Sequence, residues 1–83
     1  MKITLKLFAS LAQHLPSNSN ANEAVIEVEE GTTPQQILDR YGVPERLAHL
    51  VLINGVFVPP ESRTTSPLSE GDELSVWPPI AGG

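Results

Sequence analysis

The order of apolar and polar residues marks out most of the secondary structure of this chain. From Lys2 to Phe8 the two kinds alternate, with Ile3, Leu5 and Leu7 on one side and Lys2, Thr4, Lys6 and Phe8 on the other, as a half-buried strand requires. Ala9 to Leu15 reads as a short helix with Ala9, Leu11, Ala12 and Leu15 apolar, stopped by Pro16. The tract from Ser17 to Asn22 is polar and turn-prone. Ala24 to Glu29 predicts a second strand, with Ala24, Ile26 and Val28 in phase and Val25, Glu27 and Glu29 opposite; Gly31 ends it. The next helix carries the fullest set of signals. Thr33 is placed to cap it, Pro34 suits its first position, and Gln36 completes a capping box. Ile37, Leu38 and Tyr41 form its apolar face, and Gly42 is its stop.

Pro44 to His49 predicts one more helical turn, Leu50 to Ile53 an apolar strand, and Asn54-Gly55 a two-residue hairpin. Val56 to Val58 is the returning strand, with Val56 and Val58 assigned to the core, and Pro59-Pro60 closes it. Glu61 to Ser66 is a polar loop, and Glu70-Gly71-Asp72 turns the chain into a final strand, Glu73 to Trp77, with Leu74 and Val76 in phase. The order is strand, short helix, strand, helix and three strands. It predicts an α+β roll: a mixed sheet of about five strands with one main helix packed across one face.

Size and composition narrow what such a roll can do. Eighty-three residues make one small domain. A domain of this size buries about 60–65% of its unfolded surface, too little to wall a deep cleft. The absence of cysteine excludes a disulfide framework, a thiolate metal site and a cysteine nucleophile together. Five basic against ten acidic residues, a net charge of −5, argue against a nucleic-acid partner. No stretch approaches the roughly 20 apolar residues of a membrane span and no signal-like start is present, so a cytoplasmic location is expected.

The residues that could carry chemistry are scattered. His14 and His49 lie on different elements with no ligand at metal spacing, and read as surface or half-buried histidines. Glu70, Asp72 and Glu73 cluster at a turn, which offers no burial to set two carboxylates to different tasks. Ser62, Thr64, Thr65 and Ser66 share a loop with no base nearby, and Gly55 and Gly71 are isolated turn glycines rather than a phosphate cradle. The expectation is a protein that is not itself an enzyme.

Two features remain. The sequence closes on Pro78-Pro79-Ile80-Ala81-Gly82-Gly83. The prolines cannot continue a sheet ladder and favour an extended backbone. Six residues at about 3.3 Å each would reach roughly 20 Å past the last strand. Gly82 and Gly83 could thread a channel too narrow for a Cβ and present a bare carboxylate. A frayed terminus is the alternative, although a terminal Gly-Gly arises by chance in only about one chain in two hundred. The second feature is the phase of the aromatics. Phe8, Phe57 and Trp77 each fall opposite the aliphatic face of their strand, so they either cap the core at strand ends or form an outward docking patch beside the tail. Val25, in phase with Glu27, agrees with a partly apolar outer face.

Taken in order, Leu5-Lys6-Leu7-Phe8-Ala9-Ser10-Leu11-Ala12, Ile53-Asn54-Gly55, Leu68-Ser69-Glu70-Gly71-Asp72-Glu73-Leu74 and Pro78-Pro79-Ile80-Ala81-Gly82-Gly83 resemble the MoaD/ThiS family of ubiquitin-like sulfur carrier proteins, over essentially the whole chain. The resemblance implies a ubiquitin-like β-grasp roll in residues 1–77, with its first and last strands as a parallel central pair and Phe8 beside Trp77. Residues 78–83 would be an extended flexible tail. It implies that an E1-like enzyme uses ATP to adenylate the carboxylate of Gly83, and that sulfur from a persulfide donor replaces AMP to leave a thiocarboxylate. The chain itself would hold no cofactor and no metal, and with no cysteine it could carry sulfur only at that terminus. Gly82 and Gly83 would be the reacting end; Phe8, Phe57, Trp77, Pro78, Pro79, Ile80 and Ala81 would meet the partners.

The Leu7-Phe8-Ala9 opening with its helix and the Pro-Pro before the tail are similar to the small subunit of molybdopterin synthase, which implies the large subunit, or an equivalent sulfur acceptor, as a partner. Trp77 stands where that branch usually has Phe. Val58-Pro59 and Ile80-Ala81-Gly82-Gly83 look more like the carrier for the thiamin thiazole. A ubiquitin-like protein modifier would use the same tail.

Overall fold

The computed structural model describes residues 1–80, so the reacting end assigned to Gly82 and Gly83 and the contact assigned to Ala81 lie outside the described residues. Among the described residues, five strands form one mixed sheet: β1 (Lys2–Leu7), β2 (Glu23–Glu27), β3 (Leu50–Ile53), β4 (Val56–Phe57) and β5 (Glu73–Trp77), in the spatial order β2-β1-β5-β3-β4. β1 and β5 run parallel at the centre, with Leu5 opposite Leu74 and Leu7 opposite Val76; every other pairing is antiparallel. The first and last strands are therefore the central pair, as the resemblance implies.

One face of the sheet and the helix make the core. Ile3, Leu5 and Leu7 of β1, Ala24 and Ile26 of β2, Val51 of β3, and Leu74 and Val76 of β5 are buried against Pro34, Ile37 and Leu38 of α1 (Pro34–Arg40). The capping box forms as its residues predict: the Gln36 backbone N–H donates to Thr33 Oγ1 at 3.3 Å, and the Thr33 N–H donates to Gln36 Oε1 at 2.9 Å. Gly42, with φ of 72°, follows the helix and its N–H donates to the Asp39 carbonyl.

Several boundaries and one burial assignment differ from the sequence reading. The short helix after β1 is a 3-10 helix over Ala9–His14, and the turn expected over Pro44 to His49 is a 3-10 helix of three residues, Glu45–Leu47. β2 starts one residue earlier and ends two earlier, so Val28 is buried beyond the strand. Val56 is 68% exposed rather than in the core. It follows the Asn54-Gly55 turn at the tip of the hairpin, in a two-residue edge strand with a neighbouring strand on one side alone, and only Val58 of that segment is buried. The loop after β4 is not wholly a solvated one. It holds a 3-10 turn, Pro60–Ser62, and next to it Arg63 is 4% exposed.

Candidate docking face and tail root

The outer face of the sheet can be laid out from strand register, because side chains alternate and paired residues share a face. Lys6 lies opposite Ser75, Ser75 opposite Leu52, and Leu52 opposite Phe57, a row that crosses β1, β5, β3 and β4. The next row toward the end of β5 holds Trp77 opposite Leu50. Phe8 follows β1 immediately, where its N–H donates to the Val76 carbonyl at 3.1 Å. Its ring stacks on that of Trp77 with centroids 4.3 Å apart and planes within 2°. Phe8, Leu50, Leu52, Phe57 and Trp77 thus share one face and one corner of the sheet. Leu50 and Phe57 are exposed, and the other three are half-buried.

The structure brings the three outward aromatics onto this one face and pairs two of them directly. Leu50 and Leu52 were not singled out by the sequence, because a strand apolar at all four positions shows no phase; Val51 and Ile53 are the ones that turn to the core. Val25 is also exposed on this face but lies in another row, opposite Thr4, which in turn pairs with Glu73. Between the apolar corner and Val25 sits an ion pair, Lys6 Nζ to Glu73 Oε1 at 3.2 Å. Such a partly exposed pair contributes little to stability, and here it bounds the apolar patch with charge.

The same corner is where the tail leaves. β5 ends at Trp77, whose carbonyl accepts from the His49 N–H at 3.0 Å. Pro78 and Pro79 follow with no N–H to donate. Both are half-buried, and Ile80 is 83% exposed. Pro78, Pro79 and Ile80 therefore extend the apolar corner outward from Trp77.

The remaining candidate groups do not converge. His14 Nδ1 lies 3.2 Å from the Tyr41 carbonyl, joining the first 3-10 helix to the end of α1, while the His49 side chain is exposed. No group of three metal-ligating side chains occurs among the described residues. No helix among them is long and apolar enough to cross a membrane. The surface pockets are shallow; one, of about 370 Å³, lies at the opposite end of the sheet from the tail, against Met1, Glu30 and Glu70.

Among solved structures, SAMP1 from Haloferax volcanii superposes with a TM-score of 0.69 at 24% identity, with each chain covered in full. The solution structure of the Haloferax volcanii HVO 2177 protein matches with a TM-score of 0.76 at 26% identity, covering all of this chain and 87% of that one. Subunit 1 or 2 in the complex of the molybdopterin-converting factor from Helicobacter pylori matches at 0.59 and 22% identity, again with both chains fully covered. These likenesses show the ubiquitin-like β-grasp fold. A search of the curated proteins finds no match. A profile of the ThiS family matches residues 5–83, nearly the whole sequence. The chain belongs to the ThiS family and has the ubiquitin-like fold of its small sulfur carriers.

Proposed function

We propose that this protein carries sulfur as a thiocarboxylate on Gly83 and delivers it in molybdopterin synthesis, as the small subunit of molybdopterin synthase. The observation that carries this reading is the contiguity of the apolar corner with the root of the tail: Phe8, Trp77, Leu50, Leu52 and Phe57 meet at the strand end from which Pro78-Pro79 departs. A partner that binds this corner receives the tail at a defined place and direction.

A free carboxylate is ionised at neutral pH and is a poor acyl electrophile. The E1-like partner therefore joins the Gly83 carboxylate to the α-phosphorus of ATP, releasing pyrophosphate and leaving an acyl adenylate. A persulfide sulfur then attacks the acyl carbon, and AMP departs with the former carboxylate oxygen. A thiol cleaves the resulting S–S bond, and the thiocarboxylate remains. The activating groups belong to the partners, and this chain supplies the docking face and the terminus. The molybdopterin-converting factor from Helicobacter pylori is a complex of subunits 1 and 2, which supports a large subunit as the second partner.

Incubation with the cognate E1-like enzyme, ATP and a persulfide donor is expected to raise the intact mass by about 16 Da, the exchange of one oxygen for sulfur at the adenylated terminus. No mass gain would reject the carrier reading. Rescue of a strain lacking the molybdopterin synthase small subunit, but not of one lacking the thiazole carrier, supports the assigned pathway; the reverse pattern transfers the protein to thiamin. The likeness to SAMP1 favours one further arm, a search for isopeptides between Gly83 and lysines of other proteins. Their recovery without any thiocarboxylate would make the protein a modifier.

A further inference from the structure

Arg63 is buried at 4% exposure in a segment otherwise rich in hydroxyl side chains. Its guanidinium meets three backbone carbonyls: Nη1 donates to Ala48 O at 2.7 Å, Nη2 to His49 O at 3.3 Å and Nε to Val58 O at 3.4 Å. These carbonyls sit where β3 begins and just past the end of β4. Burial holds the pKa of Arg63 below the usual guanidinium value, and the nearby Glu45 and Glu61 carboxylates work in the other direction. Placing a guanidinium there is costly unless its hydrogen bonds are well made.

The shortest of the three bonds has a particular destination. Ala48 O and the His49 N–H belong to one peptide unit. Arg63 donates to its oxygen at 2.7 Å, and its N–H donates to Trp77 O at 3.0 Å. Donation to one end of a peptide strengthens donation from the other end, because the bonds polarise one another. Among the described residues Trp77 O is the last backbone group of β5 to be hydrogen-bonded, since Pro78 and Pro79 carry no N–H. The chain of bonds therefore runs from a buried cation, through a single peptide, to the carbonyl at which the tail starts.

We propose that Arg63 is a positioning residue for the tail: through the Ala48–His49 peptide it fixes the carbonyl of Trp77 and with it the direction in which Pro78 leaves the sheet. This rests on the sulfur-carrier reading for its consequence, delivery of Gly83 to an activating enzyme, but not for the clamp itself. Arg63→Met removes the three donors while keeping the length of the stem, and Arg63→Lys keeps a single charged donor. Ile26→Ala, a core change in β2 away from the tail, serves as the control for a general loss of stability.

In Arg63→Met, hydrogen exchange at the His49 amide is expected to quicken at least tenfold relative to that at Leu5, and the heteronuclear NOE of the Ile80 amide to fall. The KM for the carrier in ATP–pyrophosphate exchange by the cognate E1-like enzyme is expected to rise about tenfold at unchanged kcat, with Arg63→Lys recovering part of the loss and Ile26→Ala showing neither change. An unaltered His49 amide or Ile80 NOE in both Arg63 variants overturns the clamp. A loosened amide with wild-type KM, or a KM rise matched by Ile26→Ala, overturns its role in delivery. If the wild-type carrier supports no pyrophosphate exchange at all, the sulfur-carrier reading falls, and the two NMR measurements still decide whether Arg63 holds the tail root.

Discussion

The side chains of Asn54 and Asp72, 18 residues apart in sequence, meet as Nδ2 to Oδ1 at 2.8 Å. Asn54 also accepts from the Glu73 N–H through Oδ1 at 2.9 Å, and its own N–H donates to the Glu73 carbonyl at 2.9 Å. Asp72 Oδ2 takes the Ser69 N–H at 2.7 Å. Two turns that look independent in the sequence, Asn54-Gly55 and Glu70-Gly71-Asp72, are thus one joint at the start of β5. The joint sets the register of β5 between β1 and β3, and so the height at which Trp77 meets Phe8.

Asp72→Ala should therefore cost about 0.5–1.5 kcal/mol, the net worth of hydrogen bonds whose donors, the Ser69 N–H and the Asn54 amide, are exposed and can turn to water instead. The check is a shift of the urea midpoint at constant m-value. Asn54→Gly keeps the backbone tolerance for φ of 51° but loses both side-chain bonds, so it should fall in the same range. Wild-type midpoints in both variants would show that the joint adds nothing to stability.

Ala9 has φ of 53°, in the left-handed region, directly after Phe8. An L-residue with a Cβ is strained there by about 1–2 kcal/mol, whereas glycine is not. Part of that gain is offset by the greater freedom of glycine in the unfolded chain. Ala9→Gly is expected to raise stability by about 0.5–1 kcal/mol, read as an increase in Tm of several degrees for a domain of this size. A lower Tm would mean that the Ala9 methyl makes contacts worth more than the strain.

The elements were legible in the sequence wherever one face is apolar and the other polar. β1, β2, β5 and the capped helix alternate or repeat cleanly, and each appears within one or two residues of its expected bounds. Leu50 and Leu52 were not legible, because a fully apolar strand assigns its faces only through pairing with its neighbours. Val56 misled for a related reason: a phase puts a residue on a face but does not say whether the core extends that far. Arg63 was hidden most deeply. What buries it is a set of backbone carbonyls left unpaired at the ends of β3 and β4, and no side-chain pattern reports those. The parallel pairing that stacks Phe8 on Trp77 came from family resemblance, since periodicity alone cannot order strands in a sheet.

The Phe8–Trp77 stack makes a coupled prediction. Stacked rings contribute about 0.5–1.5 kcal/mol beyond their buried area. If the proposed E1-like partner docks on this corner, Trp77→Ala should weaken binding to it by about 2 kcal/mol or more, as loss of a buried aromatic anchor does. Phe8→Ala should cost less by itself, and the double variant should cost less than the two singles together, because each ring holds the other in place. Calorimetric titration of the four proteins gives the cycle. Strict additivity would mean that the rings dock independently despite the 4.3 Å stack.

The last prediction separates the apolar corner from the rest of the outer face. Leu52 and Val25 are both outward aliphatic residues on the same sheet, but Leu52 lies in the row with Phe57, whereas Val25 lies opposite Thr4 beyond the Lys6–Glu73 pair. If the partner seats on the corner, Leu52→Ser should weaken binding by roughly 1–2 kcal/mol, because a polar group then enters a desolvated contact. Val25→Ser should leave affinity within about 0.5 kcal/mol, the usual range for a surface site outside an interface. Val25 is exposed and Leu52 half-buried on the outer face, and neither belongs to the core, so thermal melts should confirm that each variant remains folded. Equal losses at the two sites would move the interface to the middle of the sheet, over the ion pair. A loss confined to Val25 would move it to the β2 edge and detach it from the root of the tail.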